Sequence, residues 1–175
     1  MLYVVRHGET VWNVENKICG TTDSPLTEKG HLQAAETGEK IREKGICADL
    51  ILYSPLSRAK ETACHIADIT GIPMREEPRL VEQCFGKYES TPRNSEEFRN
   101  AKKQFLNCYE GGESMFRLAQ RIYNLLDALK KDGRDYILVA HNGIARVVES
   151  YFREMTNDEY AAFGLKNGEI REYRF

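Results

Sequence analysis

The chain has 175 residues, a length that suits one domain with its own core. Its 25 Lys plus Arg against 27 Asp plus Glu leave a net charge of −2, which excludes a global field for nucleic acid or an acidic membrane; any anion site must be local. The five cysteines, Cys19, Cys47, Cys64, Cys84 and Cys108, are odd in number and contain no Cys-x-x-Cys pair, which argues against a disulfide framework or a zinc site and for a reducing compartment. No apolar run approaches the roughly 20 residues of a membrane span, and Arg6 and His7 end the first apolar run too early for a signal-peptide core, so a cytoplasmic location is expected.

In chain order, Leu2-Tyr3-Val4-Val5 reads as a buried strand with His7 just past its C-terminal end. From Thr27 to Lys44, Leu32, Ala35 and Ile41 recur at near-helical spacing, and Gly45 closes an amphipathic helix. Asp49 to Tyr53 is a second buried strand; Ser54-Pro55-Leu56 breaks it before a helix from Ser57 to about Thr70, ended by Gly71-Ile72-Pro73. Residues 73–93 read as irregular, a length that in a compact domain signals function or mobility. Helices are expected at 94–108 and 113–132, the second with an apolar stripe of Phe116, Ala119, Ile122, Leu126 and Leu129. Tyr136 to Ala140 is a third buried strand, with His141 at its end and a helix at about 143–153. Thr156-Asn157-Asp158-Glu159 has the capping-box pattern, and Asn167-Gly168 is a hairpin signal that makes the last residues a small β appendage. Strands alternating with helices predict an α/β fold with a largely parallel sheet and a ligand site at the carboxyl ends of its strands, where His7, Ser54 and His141 fall. No repeat or linker divides the chain, so residues 1–175 are expected to form one domain.

Splitting a phosphate monoester takes fixed cations around the non-bridging oxygens, an in-line nucleophile and an acid for the leaving oxygen. Arg6 and His7 at the first strand end, Arg58 just inside the helix after the second and His141 at the third supply such groups. Neutral imidazole is a competent nucleophile, neighbouring arginines lower its pKa, and a carbonyl accepting from one ring nitrogen fixes which nitrogen attacks. A carboxylate or the substrate anion beside His141 would raise its pKa instead and make it a charged donor. Taken singly, each group has a bland reading: Arg6-His7-Gly8 a surface turn, Arg58 a solvated helix residue, Glu82 a loop carboxylate. His31 and His65 read as structural or solvated. Arg93, Arg99, Lys102 and Lys103 read first as a solvated helix face, with a second anionic group of a substrate as the alternative.

Several ordered segments nevertheless resemble the histidine phosphatase superfamily, in the branch of cofactor-dependent phosphoglycerate mutases and related small-molecule phosphatases. They are Arg6-His7-Gly8-Glu9-Thr10-Val11-Trp12-Asn13, Gly20 to Gly30, Ser54-Pro55-Leu56-Ser57-Arg58-Ala59-Lys60-Glu61-Thr62-Ala63, Leu80-Val81-Glu82 with Phe85-Gly86-Lys87-Tyr88-Glu89, Gly111-Gly112-Glu113-Ser114 and Ala140-His141-Asn142-Gly143. The resemblance implies a three-layer α/β sandwich, phosphoglycerate mutase-like, with a largely parallel central sheet flanked by helices. It implies His7 as the phosphorylated nucleophile, Arg6, Arg58 and His141 as the phosphate pocket, Asn13 as a further phosphate contact and Glu82 as the proton donor that later activates water. Asn142 stands where the family often has Gly and keeps the backbone donor; Ser90, also at a usual Gly, bears on the turn of the acid loop. No cofactor and no metal is implied, because cationic side chains supply the electrostatics.

The expected activity is hydrolysis of a small phosphorylated metabolite, since the stretch between Glu82 and Gly111 is short for the insertion that closes over a mutase's substrate. A phosphoglycerate mutase and a non-catalytic phosphate-binding module are the alternatives. Candidate substrates by resemblance are sugar phosphates, phosphoglycerates, a cobalamin precursor's nucleotide-loop phosphate and protein phosphohistidine, with specificity placed in residues 84–110. Neither nucleic acid nor membrane is an expected partner; oligomeric state stays open, a homodimer included. A redox effect at Cys19 or Cys84 is a further reading, with packing preferred.

Overall fold

The computed structural model describes residues 1–175. Five strands, β1 (Leu2–Arg6), β2 (Leu50–Tyr53), β3 (Met74–Glu76), β4 (Tyr136–Ala140) and β5 (Ile170–Tyr173), form one sheet in the order β3-β2-β4-β1-β5. All neighbours are parallel except β5, which runs antiparallel to β1. The three predicted strands are its centre. Their unbroken apolar runs follow from burial on both faces: Leu2, Val4, Leu52, Leu138 and Ala140 point into one core, Tyr3, Val5, Ile51, Ile137 and Val139 into the other.

Helices α5 (Met115–Asp132) and α6 (Asn142–Phe152) cover the first face, through Leu118, Ile122, Leu125, Leu126, Ile144 and Val148 among others. Helices α2 (Glu28–Glu43) and α3 (Ser57–Thr70) cover the second, through Ile41, Ala59, Ala63 and Ile66. The sandwich thus has the three layers expected. Short helices α1 (Val11–Val14), α4 (Glu96–Lys102) and α7 (Asn157–Ala162) lie outside them, and α7 starts from the predicted Thr156 capping box.

Five expectations change. In α2 the buried residues are Gly30, Ala34, Thr37, Gly38 and Ile41, while Leu32 is 65% exposed. The helix lies close against α3, where a Cβ on Gly38 would come within 2.9 Å of Ile69, so small residues rather than leucine fill that face. In α5 the stripe is rotated: Leu118 and Leu125 replace Phe116, which is 58% exposed. The segment 73–93 holds the edge strand β3 and two single-turn 3-10 helices, Pro78–Leu80 and Gly86–Tyr88, and the helix expected over 94–108 is only α4. Asn167-Gly168 makes a turn but no local hairpin, because β5 takes β1 as its partner and is an edge of the main sheet. Buried Glu149 on α6 secures that edge, accepting from Tyr173 at 2.8 Å and pairing with Arg171 and Arg153.

A third, smaller core of Ile18, Tyr88, Phe98, Ala101 and Tyr109, with Phe85 packed on it, holds the loops 17–20 and 85–110 together away from the sheet. These loops form the outer wall of the cavity described next.

Candidate active site

At the carboxyl ends of β1, β2 and β4 a cavity of about 110 Å³ is lined by Arg6, His7, Asn13, Arg58, Glu82 and Asn142. Six of the seven residues singled out in the sequence therefore line one cavity. The seventh, His141, lies directly behind it, its ring 5.2 Å from that of His7.

The His7 backbone N–H donates to Ala140 O, and its carbonyl accepts from Asn167 Nδ2 at 3.0 Å. Its Nδ1 lies 2.7 Å from Gly8 O. A carbonyl only accepts, so Nδ1 carries the hydrogen and Nε2 keeps its lone pair. Burial, then Arg58 and Arg6, push the imidazole well below the usual histidine range, so it is neutral at neutral pH. The loop that carries it passes Gly30 closely: a Cβ on Gly8 would meet Gly30 O at 2.2 Å.

Arg58 is only 1% exposed. Its Nε donates to His141 Nδ1 at 3.3 Å, one terminal nitrogen to Gly20 O at 2.7 Å and the other to Thr22 O at 3.0 Å and Asp23 Oδ1 at 3.4 Å. A buried guanidinium must be satisfied, so most of the fork expected to clasp a phosphate is spent on the chain, and Arg58 acts as a fixed charge. Arg6 is the complement. One terminal nitrogen donates to Leu165 O at 2.7 Å, but its Nε is buried without any hydrogen-bond partner. Burial and the neighbouring Arg93 lower Arg6 to about 10, which leaves it charged at neutral pH.

His141 accepts from Arg58 on Nδ1, so Nε2 donates to Ser54 Oγ at 2.7 Å. Burial first, then Arg58, His7 and Arg6, lower its pKa well below the ordinary value, and no carboxylate bonds it. His141 thus stands as a neutral brace between Ser54, just past β2, and Arg58. Asn13 accepts on Oδ1 from Thr10 N–H and Asn167 Nδ2, which turns its own amide donors outward. Asn142 Oδ1 accepts from Leu165 N–H at 2.9 Å.

Glu82 approaches from the opposite side. Its two oxygens accept from Gln83 N–H at 2.9 Å and Gly143 N–H at 3.0 Å, and a Cβ on residue 143 would lie 2.4 Å from Oε1. Glycine there is what lets the acid loop dock on the start of α6. Arg121, paired with Glu113 at 2.8 Å, holds the same loop through the carbonyls of Arg79 and Glu82.

Sequence reasoning missed three contributors. Glu89 accepts from Thr21 N–H, Thr22 N–H and Phe85 N–H, tying the loop that holds Arg58 to the loop that carries Glu82; burial raises its pKa, but these bonds outweigh burial and keep it low. Asn167 was read only as a turn residue. Arg146 also lines the cavity, and the available signal was its place one helical turn after Asn142. Of the basic cluster, Arg93 and Lys102 face the cavity, whereas Arg99 and Lys103 do not line it.

A largely parallel sheet whose strand ends join a lone-pair-bearing histidine, a buried arginine, a half-buried arginine and a carboxylate defines an α/β enzyme built around an anionic group. The chain belongs to the histidine phosphatase superfamily, branch 1, whose model matches residues 2–175. It is 40% identical over 149 residues to a probable phosphoglycerate mutase of Yersinia pestis, covering 80% of this chain and 68% of that protein. Among solved structures it is similar to a mycobacterial glucosyl-3-phosphoglycerate phosphatase in complex with VO3 (26% identity, TM-score 0.84, 97% of this chain and 88% of that one). A Thermus thermophilus protein gives 28% identity and TM-score 0.75 over 97% and 90%. A putative alpha-ribazole-5'-P phosphatase of Escherichia coli, at 24% identity and TM-score 0.83 over 97% and 87%, shares the fold. The chain is thus an enzyme of the histidine phosphatase type.

Proposed function

We propose that residues 1–175 form a single histidine phosphatase domain that hydrolyses a small phosphate monoester in two steps through phosphohistidine on His7. The observation that carries this is the Nδ1–Gly8 contact, which leaves Nε2 unprotonated against a wall holding the partnerless Arg6 Nε. In the first step Nε2 attacks phosphorus and the bond to the leaving oxygen breaks, with Glu82 giving that oxygen its proton. In the second, Glu82 takes a proton from water, whose oxygen displaces the histidine. Arg6, Arg58, Asn13 and the start of α6 at Asn142 stabilise the transferring oxygens, and His141 holds Arg58 in place. Positive side chains do the work a metal would do elsewhere. Turnover unaffected by excess EDTA is the matching expectation.

The test uses an aryl phosphate, whose leaving group needs no acid. Rapid quenching is expected to trap an acid-labile, base-stable phosphoryl group on His7. Turnover should fall about 10⁴-fold or more in His7→Ala. In Glu82→Gln the phosphoenzyme should form and accumulate, because only the water step lacks its base. Unchanged turnover in His7→Ala would overturn the mechanism. The likeness to a probable phosphoglycerate mutase supports a second reading, in which an alcohol rather than water accepts from His7. Isomerisation of 3-phosphoglycerate faster than phosphate release would select it.

A further inference from the structure

The cavity holds more positive charge than one phosphoryl group requires. Besides Arg6 and Arg58 it is lined by Arg93, Lys102 and Arg146, against the single carboxylate of Glu82. Lys102 and Arg146 also form part of a second cavity of about 600 Å³, whose further lining includes Arg99, Lys103, Phe105 and Tyr160, with Asp158 its one acid. Four cations thus face one carboxylate there, and none of the four has a carboxylate within 4.0 Å, although cations elsewhere, such as Lys29, Arg79 and Arg121, are paired. The Lys102 ammonium sits over the Phe98 ring at 5.6 Å, and Arg146 uses Nε on Phe163 O at 2.6 Å, with its terminal nitrogens unbonded to protein. Arg99 and Lys103 are exposed, but Lys102 and Arg146 are half-buried, and cations kept partly desolvated without an anionic partner are costly unless a ligand completes them.

Resting on the phosphohydrolase reading, we propose that the alcohol portion of the substrate leaves the catalytic cavity across Lys102 and Arg146, enters the second cavity and carries a further anionic group held by these two side chains. Phe105 and Tyr160, whose rings are 6.3 Å apart, give that cavity an apolar wall suited to the carbon skeleton of an alcohol long enough to reach it. The anionic group is a carboxylate or a second phosphate; the chemistry that recognises both is the same.

Linear alkyl phosphates of increasing length, ending in a hydroxyl, a carboxylate or a phosphonate, test this directly. Beyond the shortest chains, kcat/KM for either charged end should exceed that for the hydroxyl by about tenfold to a hundredfold, as a charge-assisted contact gives; the better charged end identifies the natural group. Lys102→Met and Arg146→Met should collapse that ratio toward one, and Lys102→Arg should keep it. Equal kcat/KM for charged and neutral ends at every length would overturn the proposal while leaving the hydrolase intact, and so would variants that lower all substrates by one common factor. Should no substrate turn over, the hydrolase reading fails first; calorimetric binding of the same series to His7→Ala then decides the tail subsite, with no preference for the charged ends overturning it.

Discussion

Arg58 and Lys102 face the same cavity, and the chain treats them in opposite ways. Arg58, on a long helix packed against the sheet, is almost wholly buried and donates four hydrogen bonds to protein groups. Lys102, at the end of a seven-residue helix on the satellite core, has an aromatic ring beneath it and no carboxylate partner. The sheet side of the site is completed by folding, while the outer wall is left for a ligand to complete. On the reading proposed above, reaction chemistry and substrate choice reside in parts of the molecule with different anchorage.

The sheet side should be the less forgiving. Gly8→Ala forces the loop of His7 away from Gly30 O, and a displacement near 1 Å should lower kcat/KM about 10²-fold. A variant within a few-fold of the parent would show that the loop is looser than the packing implies.

In the outer wall, Tyr109→Ala empties a ring site between Phe85, Phe98 and Tyr88 and should cost about 3 kcal/mol locally. Hydrogen exchange should then quicken over 85–110 while the amides of β1 and β4 keep their protection. Uniform loss across both regions would dissolve the distinction between them.

Acidity separates the regions a third way. His7 and His141 have folded pKa values below their unfolded ones, so they stay neutral as pH falls through the ordinary histidine value of about 6.5. The acid limb of kcat/KM that depends on neutral His7 should lie below that pH. Since only the unfolded chain takes up these protons there, stability declines on the same side. Lys102 is lowered to about 8 by burial and Arg146, against the raising effect of Glu82. The share of the charged-tail preference that Lys102 supplies should therefore fade as pH rises through that value, and a flat ratio would assign the tail to Arg146 alone. The smallest effect belongs to Ser90, whose φ of 69° is left-handed; Ser90→Gly should stabilise by about 0.5–1 kcal/mol in thermal unfolding.

The sheet side was also the legible side. Strands buried on both faces leave unbroken apolar runs, and Ser57 to Thr70 carries its own start and stop, so β1, β2, β4 and α3 could be read closely. Periodicity in α2 misled because the helix meets its neighbour through glycine, alanine and threonine, which leave no apolar stripe. β3, Met-Arg-Glu on an edge, has no pattern to find. The motif residues brought together by strand ends were visible in the sequence; the roles of Glu89 and Asn167 depend on bonds to distant segments that no local spacing encodes.

Residues 165–169 do more than lead into an edge strand. Leu165 O holds Arg6, Asn167 holds the carbonyl of His7, and Gly168 and Glu169 clasp the backbone of Arg6 on both sides. Asn167 lies 160 residues after His7. The first strand end is thus held by a segment far along the chain, and on the proposed mechanism the site is assembled only once residues 165–169 are in place.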